Sequence, residues 1–139
     1  MDPKAWLGQL KEYLGGWPAQ AAPYFESVWG ISPALSLKFA ILYAALSLLG
    51  LKPRITSGFR DPEKQRELLR RWNAGERAGF IGKPASPDGS RHCRTALGAP
   101  ASTAIDMPCS NIPLADTIAR ALGLRCGSDF QDPGHYDGG

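Results

Sequence analysis

The chain has 139 residues, 43% hydrophobic and 21% charged, which suits one globular domain with a core large enough to fold without staples and leaves no room for a second. Its formal charge is +3 and its Lys and Arg residues are scattered, so the concentrated basic footprint of a nucleic-acid binder is missing, although the mild positive bias is compatible with an anionic polymer. Three cysteines, Cys93, Cys109 and Cys126, show no paired spacing, which disfavours a disulfide framework or a cysteine-rich zinc knuckle. They read as small reduced core residues, with a Cys109 to Cys126 bridge left open.

The opening Met1-Asp2-Pro3-Lys4 lacks the basic-then-apolar order of a signal peptide. Asp2 as cap and Pro3 in the first turn begin a helix on which Trp6, Leu7, Leu10 and Leu14 recur at helical spacing, and Gly15-Gly16 ends it. Residues 17–29, rich in proline and aromatic side chains, read as an irregular connection. Ser32-Pro33 starts a helix that is apolar all round over residues 35–49 and stops at Gly50, the pattern of a central core helix. Its most apolar run, 39–51, falls short of the roughly 20 residues needed to span a bilayer, so no stable membrane insertion is expected.

Residues 54–57 read as a short strand. Asp61-Pro62-Glu63 then starts a helix carrying Gln65, Leu68, Leu69 and Trp72 to near Gly75, with Arg66, Arg70 and Arg71 as its solvated face. Residues 75–101 have little periodicity and read as a long functional loop. Residues 103–107 alternate as a strand, Asn111 caps a helix carrying Ala115, Ile118, Ala119 and Leu122, and residues 124–126 and 134–137 read as short closing strands. Helices first, then short strands interleaved with helices, predict a single α+β domain over 1–139. Its N-terminal helices (1–53) would pack on a small, mostly antiparallel sheet, with 54–139 holding the candidate site.

The only two histidines are His92, in Ser90-Arg91-His92, and His135, in Asp132-Pro133-Gly134-His135, with Thr103-Ala104-Ile105-Asp106 between them. Two imidazoles leave few ways to build a metal site, and His92, Asp106 and His135 read as three ligands of one zinc ion. Three protein ligands leave a fourth tetrahedral position for water, which distinguishes a catalytic zinc from a structural one. Bland readings stand beside this one. Either histidine is by itself as well placed on the surface or in the core, Asp-Pro-Gly is a common turn, Arg60 suits a solvated cation beside a helix start, and Gln65 either braces a site or faces water. A thiol protease built on Cys93 is disfavoured, because adjacency in sequence to His92 does not supply the niche that a catalytic thiol needs.

Taken in order, Ser57-Gly58-Phe59-Arg60 with Gln65, Ser90-Arg91-His92, Ala104-Ile105-Asp106 and Phe130-Gln131-Asp132-Pro133-Gly134-His135 resemble the M15 family of zinc peptidases. That family includes D-alanyl-D-alanine carboxypeptidases and dipeptidases and the L-alanyl-D-glutamate endopeptidases of phage endolysins. The resemblance covers about residues 54–137 and implies a Hedgehog/DD-peptidase-like fold. It places His92, Asp106 and His135 on the zinc ligands, Asp132 on the catalytic acid/base and Arg60 on the arginine that meets substrate near the scissile carbonyl. Ser90 and Gln65 fall beside Arg60 as candidate substrate-binding residues. The family keeps its first histidine and aspartate in a compact His-x-x-Gly-x-Ala-x-Asp pattern. Here residues 93–101 intervene as an insertion, and Ser102 stands where the family has glycine.

The function so implied is zinc-dependent hydrolysis of an amide bond in the stem peptide or cross-link of bacterial peptidoglycan. The expected setting is a phage-type lysin made in the cytoplasm and acting on the wall after release, or carried on a virion. The alternative is a catalytically inactive structural or wall-binding module, possibly of a phage particle, whose inserted segment blocks the water position.

Overall fold

The computed structural model describes residues 3–80 and 82–139. The predicted cap Asp2 lies outside them. α1 (Pro3–Leu14) buries Leu7 and Leu10, one turn apart on its inner face, and stops at Gly15 in the left-handed conformation.

Residues 17–29 correct the sequence expectation: they form α2 (Trp17–Trp29), not an irregular connection. Pro18 sits in the first turn, where its missing N–H would have had no intrahelical partner. Pro23 lies inside the helix and forfeits the bond to the carbonyl four residues back, a cost of about 3 kcal/mol. What offsets it is tertiary: α2 packs along α3 (Pro33–Leu48) and buries Ala22 and Phe25 there. Gly30, left-handed, closes α2 by donating to the Phe25 carbonyl.

α3 starts as predicted, with the Ser32 hydroxyl accepting from the Ala34 N–H and Pro33 in the first turn. Phe39, Ala40, Leu42, Ala45 and Leu46 are fully buried, which makes α3 the centre of the core. α4 (Pro62–Asn73) is capped by Asp61, which accepts from the Glu63 N–H at 2.8 Å. Its arginines pair with acids on the exposed face, Arg66 with Glu63 and Arg70 with Glu67, while Arg71 reaches Glu76 just beyond the helix. α5 (Ile112–Ala121) is capped by Asn111 through the Leu114 N–H and buries Ala115, Ile118 and Ala119.

The main sheet has three antiparallel strands, β3 (Ala104–Asp106), β4 (Arg125–Cys126) and β5 (His135–Asp137), in the order β3-β5-β4. Residues 54–57 run beside β3 but make only one isolated bridge, at Ser57, a second correction to the predicted strand. Thr56 N–H donates to the Asp106 carbonyl and Asp106 N–H to the Ser57 carbonyl. Gly58 then turns away, so the pairing goes no further. Within the predicted loop 75–101, Arg91–Cys93 form a 3₁₀ turn, and β1 (Thr95–Ala96) with β2 (Ala99–Pro100) form a hairpin. Residues 94–100 are all exposed, so the segment set apart as an insertion projects into solvent between its two buried ends, Cys93 and Ala101.

One core joins both parts of the chain: Leu7 of α1, Phe39 of α3, Ile118 of α5, Ile105 of β3 and Tyr136 of β5 belong to a single buried cluster. The fold is α+β. Among the described residues no helix is long and apolar enough to cross a membrane.

Candidate metal centre

Strand register does the first part of the assembly. Asp106 on β3 pairs directly with His135 on β5, which places both side chains on one face of the sheet. His92 arrives from the 3₁₀ turn, which is tied to the sheet region because Arg60 N–H donates to the His92 carbonyl and Thr103 N–H to the Arg91 carbonyl. The ring is aimed by a 2.7 Å bond in which Nδ1–H donates to the Gly58 carbonyl. A Cβ on Gly58 would lie 2.2 Å from the Trp29 carbonyl oxygen, so only glycine lets the chain pass here and present that acceptor.

The three predicted ligands converge. His92 Nε2 lies 3.3 Å from His135 Nδ1 and 3.4 Å from Asp106 Oδ1, and His135 Nδ1 lies 3.2 Å from the same oxygen. Donors about 2.0–2.1 Å from a tetrahedral ion sit about 3.3–3.4 Å from one another, so the observed triangle has the size of one face of such a site. The tautomers fit as well. A carbonyl can only accept, so His92 carries its proton on Nδ1 and turns the Nε2 lone pair inward. On His135 the Nε2–H donates to Asp137 Oδ2 at 2.6 Å, leaving Nδ1 for the shared point. Two buried histidines and a half-buried carboxylate thus bring one ligand atom each to a common point, and His92, Asp106 and His135 could hold a metal ion.

The charges of the cluster shift one another. Burial pushes the Asp106 carboxyl up, but hydrogen bonding to His135 and His92 outweighs it and holds the group well below the ordinary carboxylate range. Burial depresses His135, yet the Asp106 and Asp137 carboxylates overcome it and lift the ring to about 9. Burial, with the neighbouring charge of Asp106, raises Asp132 above the ordinary value. That is the direction a proton-transferring carboxyl needs. Asp132 Oδ2 lies 3.6 Å from His135 Nδ1, brought there by a turn in which His135 N–H donates to the Asp132 carbonyl.

Arg60 Nη2 is 3.9 Å from Asp106 Oδ2 and donates to Ser57 Oγ, while Nη1 donates to Gln65 Oε1 at 2.9 Å. Gln65, 2% exposed, donates in turn to the Ala85 carbonyl. Gln65 therefore does not face water; it is buried against Arg60 and the Ala85 carbonyl. An open groove of about 460 Å³ runs from Arg60 along α4, lined by Glu63, Lys64, Glu67 and Leu68. Ser90 is buried beside the 3₁₀ turn, and its carbonyl accepts from Cys93 N–H. Among the described residues its hydroxyl joins none of the hydrogen bonds of the cluster. Cys93, Cys109 and Cys126 are all free thiols, so the bridge left open in the sequence does not form; Cys109 is only half-buried.

Sequence reasoning missed Asp137, fully buried and bonded to the outer nitrogen of His135. A signal existed: in a strand, positions i and i+2 share a face, so His135-Tyr136-Asp137 puts the carboxylate beside the ring. It also missed Arg125, which faces Asp137 across β4 and β5. Comparison with protein-family models, with curated proteins and with solved structures found no match to this chain.

Proposed function

We propose that the chain is a zinc-dependent peptidase acting on an amide bond of bacterial peptidoglycan, in the stem peptide or a cross-link, as a phage-type lysin does. The observation that carries this reading is the closed triangle of His92 Nε2, Asp106 Oδ1 and His135 Nδ1 with Asp132 at its edge. The order of motifs resembling the M15 peptidases supplies the substrate class.

His92, Asp106 and His135 would hold the ion, and a zinc ion so held polarises a carbonyl as a Lewis acid and acidifies water. Asp132, near enough to serve the same point, takes a proton from the attacking water and returns it to the leaving amine. Its raised pKa suits both halves of that task. Arg60 is permanently charged, forked and held by Gln65 and Ser57, and it meets the developing negative charge of the scissile carbonyl or a substrate carboxylate. The groove along α4 receives the peptide on the Arg60 side. The exposed 95–100 hairpin weighs against the rival module, because a blocking segment would be buried on the cluster.

Digestion of purified sacculi, with mass spectrometry of the new termini, tests the reading. Zinc-loaded protein should release peptide fragments. Asp132→Ala should keep the metal and lose about 10²–10⁴-fold in rate, the usual contribution of a general base. Zinc-loaded wild type that leaves several wall chemotypes intact would overturn the proposal in favour of the non-catalytic module.

A further inference from the structure

We propose that Arg125 is a positioning residue for this centre: it locks Asp137 and stacks on Phe130, and these two together hold the His135 ring with Nδ1 turned toward His92 and Asp106. The inference rests on the metal reading of the cluster and adds residues that the ligand motifs do not contain.

Arg125 on β4 is paired in register with Asp137 on β5, so its side chain starts beside the carboxylate. The guanidinium forks onto it, Nε to Oδ1 at 2.9 Å and Nη2 to Oδ2 at 2.8 Å. Such paired, charge-assisted bonds fix direction as well as distance. Asp137 is 0% exposed; its Oδ1 also accepts from Gly139 N–H, and Arg91 Nε stands 3.6 Å away. With those bonds made, Asp137 Oδ2 is held 2.6 Å from His135 Nε2 and cannot swing away.

The same guanidinium covers the Phe130 ring, 4.5 Å from its centroid. Phe130 in turn meets the His135 ring edge-to-face, with centroids 5.5 Å apart. His135 is therefore restrained twice, by Asp137 at its outer nitrogen and by the Phe130 ring, and both restraints run to one arginine. Burying a carboxylate is costly unless it is paired and hydrogen-bonded, so Asp137 without Arg125 would lose the fork that fixes its direction and keep only Gly139 N–H, His135 and the more distant Arg91. Lysine cannot replace the fork or the flat stacking surface.

The test is the zinc dissociation constant, read by competition with a chromophoric chelator. It is coupled to nitrogen-15 NMR of histidine-labelled, zinc-loaded protein to show which His135 nitrogen is bound. Wild type should bind through Nδ1 with Nε2 protonated. Asp137→Asn should weaken binding about 10–100-fold, the usual effect of removing the partner of a ligating histidine. Arg125→Ala and Phe130→Leu should each weaken it several-fold, Arg125→Lys should not rescue, and Arg120→Ala, which breaks the exposed pair with Asp129, should bind like wild type. If Asp137→Asn fails to fold, the partly exposed Arg125 and Phe130 decide the matter. Unchanged affinity and an unchanged bound nitrogen in Arg125→Ala and Phe130→Leu, whatever their melting temperatures, would overturn the brace, as would full rescue by lysine. Wild type that binds no zinc would instead overturn the metal reading itself.

Discussion

His135 sits between two carboxylates, Asp106 at Nδ1 and Asp137 at Nε2, and this placement sets how acid and base act on the chelator-treated protein. The ring is lifted from 6.5 to about 9, so the stability it contributes is complete below 6.5 and is lost as pH rises through about 9. Asp106 and Asp137 are depressed from 3.8, so theirs is present above that value and is lost as pH falls below it. Melting temperature should therefore plateau between these limits and decline on both sides. A rise between pH 6.5 and 9 would contradict the assignment. Zinc must displace the His135 proton, so binding at pH 7 should release about one proton per chain, readable by calorimetry in buffers of different ionisation enthalpy.

Gly127 is as constrained as Gly58. A Cβ there would lie 2.0 Å from the Asp132 carbonyl oxygen and 2.7 Å from the His135 Cβ. Gly127→Ala must push the Asp132–His135 turn away from the cluster, so it should weaken zinc binding as well as lower the melting temperature. A variant that melts lower but binds zinc as wild type would show that the turn does not position the site.

At the scale of elements, what could be read from sequence depended on how directly periodicity mapped to burial. α1 was legible from its apolar spacing and closing glycine, and α3, α4 and α5 because apolar spacing, side-chain caps and closing glycines agreed. α2 was not, because Pro18 and Pro23 signal a break, and only packing on α3 overrides them. That conflict is testable. Pro23 is exposed, so Pro23→Ala restores a helix bond without disturbing the core and should raise stability by about 1–3 kcal/mol. Destabilisation on urea unfolding would mean that residues 17–29 are not helical. The 95–100 hairpin was hidden for a related reason. Its two-residue turn, Leu97-Gly98, has both residues at positive φ, and such turns are recognised by asparagine or glycine at the first position, not leucine.

For the whole molecule, the α+β class followed from the order of helical and alternating segments, and the convergence of His92, Asp106 and His135 on one point from the scarcity of histidine. The brace behind the triad did not, because Arg125 meets Asp137 only through the register of β4 on β5, and register is not written in either segment alone. Likewise Gly58 supplies a carbonyl to His92, a backbone role that no side-chain motif advertises. Both depend on one core that draws Leu7, Phe39 and Tyr136 together and holds β3 and β5 level.

X-ray absorption at the zinc edge of the reconstituted chain tests the central claim most directly. Convergence of His92, His135 and Asp106 predicts one ion per chain with a first shell of nitrogen and oxygen at about 2.0–2.1 Å and the outer scattering of two imidazoles. A sulfur shell at about 2.3 Å, or scattering from fewer than two imidazoles, would place the metal elsewhere and end the account.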